Sequence, residues 1–344
     1  MRPARSLEEW HAWQRRRTPL LKRVRTRLRR SRPTELVLVA SGQHPRVLAP
    51  VDALNASHWA SVVEPLRVIS ERAPVAALAL AELASGLPPE LGQPIARFDS
   101  EHLPWDRFDS VQTVVSIGAH LPCGSLGHEI ALRSGIRNSV VQHGLFTPFA
   151  PPLPAEARLL AWSAADAEFA NQLSPGRLEA DSVGSQLLWN AAGNAGAPVR
   201  TSAAPLFLGQ LHGLELGRRV TVRTVDRLAA EGRLVYRPHP AERDVLSRLQ
   251  HRRWARRGIV FDADARPLPE VDRPVLGIFS TGLLEAAAAR RPTWAVCADP
   301  PEWVEEMWER YSIARHGAPE PTAPPEVPQK EPASAIAELV LERV

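Results

Sequence analysis

The residues best suited to chemistry in this chain of 344 lie in two short segments about forty positions apart. Arg237-Pro238-His239-Pro240 closes one apolar run, and Ser280-Thr281-Gly282, followed by Glu285, closes another. Two prolines fix the backbone on either side of His239 and remove two N–H donors, so the loop is stiff and directs its imidazole instead of packing it. A held imidazole donates to a phosphate oxygen, and Arg237 pairs with the same anion as a fork. Ser280-Thr281-Gly282 opens an alanine-rich stretch; at a helix start, free N–H groups and the positive dipole end attract an anion. Glu285, about one turn in, accepts from vicinal hydroxyls, as acidic residues do for ribose in dinucleotide sites. The blander reading of each is a capped helix start and a loop histidine with a structural hydrogen bond. Taken together and in order, they describe one site for a phosphate and a sugar.

Such segments need strands that end beside them. From residue 35 the pattern is strand, loop, helix, repeated: strands at 35–40, 75–80, 113–117, 139–141, 159–162 and 181–184, with helices at 52–72, 126–134 and 164–173. A second series places strands at 206–208, 234–236, 259–261, 275–279 and 293–296, with helices at 215–231, 241–256 and 282–290. Strands separated by helices predict parallel sheets covered on both faces. The expected organisation is a basic arm at 1–33, an α/β domain at 34–189 and a linker rich in Ala, Gly, Asn and Ser at 190–204. An α/β domain at 205–315 and a proline-dense tail ending in a helix at 316–344 complete it. In an open parallel sheet ligands bind beyond the carboxyl ends of the strands. Loops 42–44, 142–144, 237–239 and 280–282 are predicted there, two from each of two doubly wound Rossmann-like domains facing a cleft. Gly209-Gln210-Leu211-His212-Gly213 follows the first strand of the second domain, where glycines permit close approach of a ligand.

Composition narrows the chemistry. Arginine supplies all but two of the 42 basic residues, and neither Lys22 nor Lys330 sits in a motif, which argues against Schiff-base chemistry and a Walker P-loop. Cys123 and Cys297 have no metal-type spacing. Asp262-Ala263-Asp264 has the form of an Asp-x-Asp metal motif but precedes a proline-containing loop and reads as a solvated turn, so no metal is expected. No cofactor is expected beyond the activated donor substrate described below. No stretch has the roughly 18 apolar residues of a membrane span, and no secretory signal is evident, which predicts a cytoplasmic protein. The net charge of +4 is uneven: residues 1–33 carry +10, leaving −6 for the rest. Leu7, Trp10, Trp13, Leu20, Leu21, Val24 and Leu28 follow helical spacing among those arginines, with Pro19 interrupting. Adhesion to an anionic membrane surface is one reading of this arm and packing on the protein body is the other. Nucleic acid is the weakest, since no nucleic-acid-binding module is recognisable.

A strand followed by Arg-Pro-His-Pro, then a strand followed by Ser280-Thr281-Gly282-Leu283-Leu284-Glu285-Ala286 and a later Pro292, resembles the donor half of two-domain GT-B glycosyltransferases. The resemblance is to the branch that uses cytidine-activated donors: capsule Kdo transferases, bacterial polysialyltransferases and the CDP-glycerol polymerases of cell-wall teichoic acid assembly. It implies that His239, Ser280 and Thr281 hold the cytidylate phosphate and Glu285 the ribose, with Arg237, Gly282, Gly209 and Gln210 beside them. Gln142-His143-Gly144, continuing to Thr147-Pro148, resembles the His-Gly-Thr-Pro loop of the CDP-glycerol polymerases, where the histidine is the proposed base. Here Leu145-Phe146 is inserted and the following lysine is missing.

An inverting transfer needs a base for the acceptor hydroxyl. His143 and His44 are the candidates, with Gln142, Gly144 and His120 on the acceptor side and Arg46 as a lesser contact. The expected function is metal-independent transfer of a Kdo-like or sialic-acid-like sugar, or a polyol phosphate, from a CMP- or CDP-linked donor to a glycan acceptor at the inner membrane surface, as in bacterial polysaccharide biosynthesis. A UDP-sugar transferase or epimerase of the same fold is the alternative, and a non-catalytic glycan- or partner-binding scaffold is the alternative of another class.

Overall fold

The computed structural model describes residues 4–17, 33–174, 176–194, 196, 198–263, 266–342 and 344. The chain forms two compact units, one from residues up to Leu187 together with Pro328–Val344, the other Leu188–Val327.

Unit 1 is built on β1 (Glu35–Ala40), β2 (Val47–Val51), β3 (Val75–Leu80), β4 (Gln93–Asp99), β5 (Thr113–Ser116), β6 (Arg137–Val141), β7 (Arg158–Ala161) and β8 (Glu179–Ser182). They form one sheet in the order β4-β1-β3-β2-β5-β6-β7-β8. Alternate side chains feed two cores. Val37, Val39, Val47 and Ala77 pack with Leu66 and Ile69 of helix Glu64–Ser70 and with Ile336 and Val340 of helix Pro332–Leu341. Leu36, Leu38, Leu48 and Val114 face the other way, onto Ile130 of helix Pro122–Ser134. Strands buried on both faces read as unbroken apolar runs, which is why ELVLVA, VAALAL and TVVS were legible.

Strands β2, β3, β5, β6, β7 and β8 run parallel. The expectation of a parallel sheet fails for β1, which pairs antiparallel with both β3 and β4. The parallel series starts instead at β2, whose signal is obscured by Pro50, a residue that counts against a central strand. β2 keeps its β5 partner only at Val47 and Leu48, so at Pro50 the strand has an open edge. β4, half-exposed and polar, was also unforeseen. The helix expected over 52–72 starts at Ala56, where Asn55 Oδ1 accepts from His58 N–H at 3.0 Å, and passes through a π turn at Trp59–Val63 before Glu64–Ser70.

Unit 2 holds β9 (Leu206–Leu208), β10 (Val235–Arg237), β11 (Val260–Phe261), β12 (Val275–Gly277) and β13 (Thr293–Ala295), all parallel, in the order β11-β10-β9-β12-β13. Helices Arg218–Glu231, Val245–Arg256 and Thr281–Ala288 connect them. Helix Glu302–Arg310, unforeseen, follows β13 and buries Val304, Met307 and Trp308.

The stretch 190–204, read as a linker, opens inside helix Gln186–Gly193, where Leu187, Leu188 and Ala191 are buried. The proline-dense tail divides at Val327: Thr322 N–H donates to Thr293 O at 2.8 Å in unit 2, whereas helix Pro332–Leu341 belongs to unit 1, its free Ala333 N–H bound by Gln186 Oε1 at 2.8 Å. Of the basic arm, Leu7–Arg17 is helical; residues 18–32, with Leu20, Leu21, Val24 and Leu28 of the expected helical pattern, lie outside the described residues.

Helix Pro122–Ser134 crosses β2 at Gly127, where a methyl group would stand 2.3 Å from Pro50 Cγ. Both atoms are held by ring and backbone, so Gly127→Ala must push the helix off the sheet. The expected loss is about 1–3 kcal/mol, read by denaturant unfolding.

Candidate functional site

In unit 2 the chain leaves β9 for β10 on one side and later returns to β12 on the other. The order of connections therefore reverses between β9 and β12, and a crevice opens beyond the carboxyl ends of those two strands. Loop 209–213 and residues 278–280 border it. Gln210 joins them, its Oε1 accepting Phe279 N–H at 3.2 Å. Ser280 caps the helix Thr281–Ala288, its Oγ accepting Gly282 N–H at 3.2 Å, while Leu283, Leu284, Ala286 and Ala287 are buried and hold the helix against the sheet. The Arg-Pro-His-Pro loop follows β10, next to β9. His239 stacks on His212, ring centroids 3.7 Å apart. Its Nδ1 accepts Ala241 N–H at 3.1 Å, so the neutral ring carries its proton on Nε2, a donor. Desolvation lowers its pKa below the ordinary histidine value.

Glu242, at the end of the same loop, escaped the sequence reading because Pro-Ala-Glu is indistinguishable from a surface turn. Its side chain is fully buried. It accepts Leu211 N–H at 2.9 Å and the Tyr236 hydroxyl at 3.0 Å, and His251 Nε2 lies 2.8 Å away. One carboxylate thus ties loop 209–213 to loop 237–240. Gly209 is required by the same contact, since a Cβ there would lie 2.4 Å from the Tyr236 hydroxyl.

Arg237, expected to fork onto an anion, gives its Nε to Asp262 Oδ2 at 2.5 Å. That bond engages Nε alone and accounts for Asp262; Asp264 lies outside the described residues. Among the described residues no group of three or more His, Cys, Asp or Glu side chains is arranged to hold a metal. Glu285 lies near enough to Arg237 to feel its charge, yet desolvation dominates and raises its pKa to about 7.

Unit 1 repeats the arrangement. Its parallel series proceeds from β2 to β3 on one side and to β5 on the other, so its crevice opens beyond β2 and β5. The segments after β2, β5 and β6 bring His58, His120 and His143 together: the His143 ring centroid is 5.7 Å from that of His58 and 6.0 Å from that of His120. Burial, reinforced by the neighbouring rings, lowers the pKa of His120 to about 4 and of His143 to about 3. Asp52, directly after β2, accepts the Cys123 and Gly124 N–H groups at 2.8 and 3.0 Å, capping the helix Pro122–Ser134. Desolvation raises its own pKa, and its charge partly offsets the desolvation that lowers His58. His58 Nδ1 lies 3.1 Å from Asn55 Oδ1. An amide oxygen only accepts, so Nδ1 carries the proton and Nε2 bears the lone pair. That Nε2 is buried and has no hydrogen-bond partner, as does Nδ1 of His120.

His44 does not join this cluster, which corrects its assignment as a base. It follows β1, and an antiparallel strand delivers its loop to the opposite end of the sheet. There Ser41 N–H donates to Val75 O at 3.0 Å and Arg46 N–H to Pro74 O at 2.8 Å, both at the start of β3. Arg46 donates its side chain to Gln112 Oε1 at the same end. Gln142 is buried and turned inward, not toward an acceptor: its amide donates to Gly144 O at 3.0 Å and accepts Trp162 N–H at 2.8 Å, shaping the loop that carries His143. His58 was missed with β2 itself.

The N-terminal helix Leu7–Arg17 is packed on this unit. Trp10, 8% exposed, donates its indole N–H to Phe149 O at 2.8 Å and sets its ring edge against His120. Trp13 stacks on Phe149. For Leu7–Arg17, of the two readings of the arm, this is the packed one: both tryptophans lie against protein.

No model of a known protein family matches the sequence, and no curated protein does. Solved structures do. UDP-GlcNAc 2-epimerase from Methanocaldococcus jannaschii, in complex with UDP-GlcNAc and UDP, superposes with a TM-score of 0.54 at 10% identity, covering 86% of this chain and 99% of that one. A glycosyltransferase from Rickettsia africae superposes with a TM-score of 0.51 at 11% identity, covering 88% and 94%. The likeness is one of fold: this chain has the GT-B fold, two Rossmann-like α/β units.

Glu285 gives a test with a defined sign. Its folded pKa of about 7 exceeds the ordinary 4.5, so its stability contribution is intact below pH 4.5 and lost as pH rises through 7. Glu285→Gln should therefore match the wild type at pH 4 and exceed it by up to about 3 kcal/mol at pH 8, measured by denaturant unfolding at both pH values.

Proposed function

We propose that this protein is a glycosyltransferase that binds a nucleotide-activated donor in the crevice of unit 2 and uses the histidine cluster of unit 1 on the acceptor side. The observation that carries the reading is the convergence, at one topological switch point, of the stacked His239–His212 pair, the capped helix start at Ser280 and the carboxyl group of Glu285. His239 Nε2–H and the positive dipole end of the helix Thr281–Ala288 offset phosphate charge without a metal, and that charge grows as the phosphate leaves. Glu285, titrating near neutrality, accepts from the vicinal hydroxyls of a ribose. Loop 209–213, held by Glu242, approaches the diphosphate.

The base comes from the imidazole cluster. His143 holds the position that the Gln-His-Gly motif implies, whereas His58 is the ring whose tautomer leaves a buried lone pair. Desolvation lowers the pKa of His58, and the charge of Asp52 opposes that shift, whereas the rings beside His143 add to its desolvation. His58→Ala should lower kcat about 100-fold or more with KM little changed, and the acidic limb of the wild-type pH profile should lie below pH 6.5. Loss of kcat in His143→Ala alone would assign the base to His143.

The proposed donor is a CMP- or CDP-linked Kdo-like or sialic-acid-like sugar, or a polyol phosphate, and the proposed acceptor a glycan near the inner membrane surface. The order and spacing of the Arg-Pro-His-Pro and Ser-Thr-Gly-x-x-Glu-Ala segments support that choice. A uridine-linked donor is the second reading, because a structural neighbour carries UDP-GlcNAc and UDP. Calorimetric titration separates them: CMP and CDP should bind more tightly than UMP, UDP and GMP, and His239→Ala should weaken binding about tenfold or more, as expected for one hydrogen bond to a charged group. Preference for uridylates selects the second reading, and indifference to both base and His239 overturns the assignment of the site.

A further inference from the structure

Helix Val245–Arg256 of unit 2 presents to solvent a face that the transfer chemistry does not use. Ser247 and Trp254 are buried beneath it, the Trp254 indole anchored to Asp226 Oδ1 at 2.8 Å. On the outer face Val245, Leu246 and Leu249 are 60, 56 and 53% exposed, three of the six large apolar side chains most exposed among the described residues. Arg248, Arg252, Arg253 and Arg256 are exposed among them, and none forms an ion pair among the described residues. Nearby, Arg257 pairs with Asp226 and Arg218 with Asp244. No Asp or Glu occurs within the helix itself.

We infer that this face docks the protein onto an anionic lipid bilayer. Exposed leucines at the centre of an arginine cluster suit an interfacial helix, whose apolar residues enter the headgroup boundary while arginines stay at the surface with lipid phosphates. A second copy of the chain is a poor occupant, since a symmetric contact would set four unpaired arginines against four. A soluble polyanion accounts for the arginines and leaves the three apolar side chains without a partner. The surface lies wholly within unit 2, independent of the basic arm, and it is read out on vesicles holding neither nucleotide nor glycan, so its failure leaves the transferase proposal untouched.

The test is sedimentation of the full-length chain with phosphatidylcholine vesicles containing or lacking phosphatidylglycerol. Arg252→Gln/Arg253→Gln/Arg256→Gln and Leu246→Ser/Leu249→Ser are compared with the wild type, with thermal melts confirming that these exposed substitutions leave the fold intact. Binding should require phosphatidylglycerol, weaken about fivefold for each arginine removed, and weaken again in the leucine variant. An environment-sensitive dye on Leu249→Cys should shift to the blue on those vesicles. Unchanged sedimentation of both variants overturns the inference. So does a loss confined to the arginine variant with no spectral shift, which is the signature of a polyanion partner.

Discussion

A parallel strand can deliver a side chain to only one end of its sheet, and both units are organised by that constraint. Where the order of connections reverses, between β9 and β12 in unit 2 and between β2 and β5 in unit 1, adjacent loops diverge and leave a crevice that the helices do not cover. The residues with chemical potential collect there, His58, His120 and His143 in unit 1 and the His239–His212 pair in unit 2. His44 is the counterexample: one antiparallel strand carries it to the far end of the same sheet, away from His58, His120 and His143.

Carboxylates then fix what the strands bring together. Asp52 takes two N–H groups at a helix start and leans electrostatically on His58, while Glu242 gathers a backbone N–H, a tyrosine hydroxyl and a histidine nitrogen from three segments. Each is an acid placed where leaving its donors unsatisfied would be costly, so each locks loop geometry more firmly than apolar contact would. Desolvation does the remaining tuning. It holds His120 and His143 neutral and lifts Glu285 toward neutrality.

Much of this was legible in the chain. Runs such as ELVLVA and VAALAL announce strands because both faces are covered, and Arg-Pro-His-Pro and Ser-Thr-Gly-x-x-Glu announce their loops because proline and a capping serine act locally. These features depend on residues within a turn or two of one another, and the sequence alone determined them, together with the α/β class and the order of the motifs. Strand direction, the register that makes β2 the switch strand despite Pro50, the pairing of Arg237 with Asp262 and the burial that shifts Glu285 and the histidines were decided only by the tertiary structure. Each depends on partners 20 or more residues away, and a chain read locally carries no record of which end of a sheet its loops will reach.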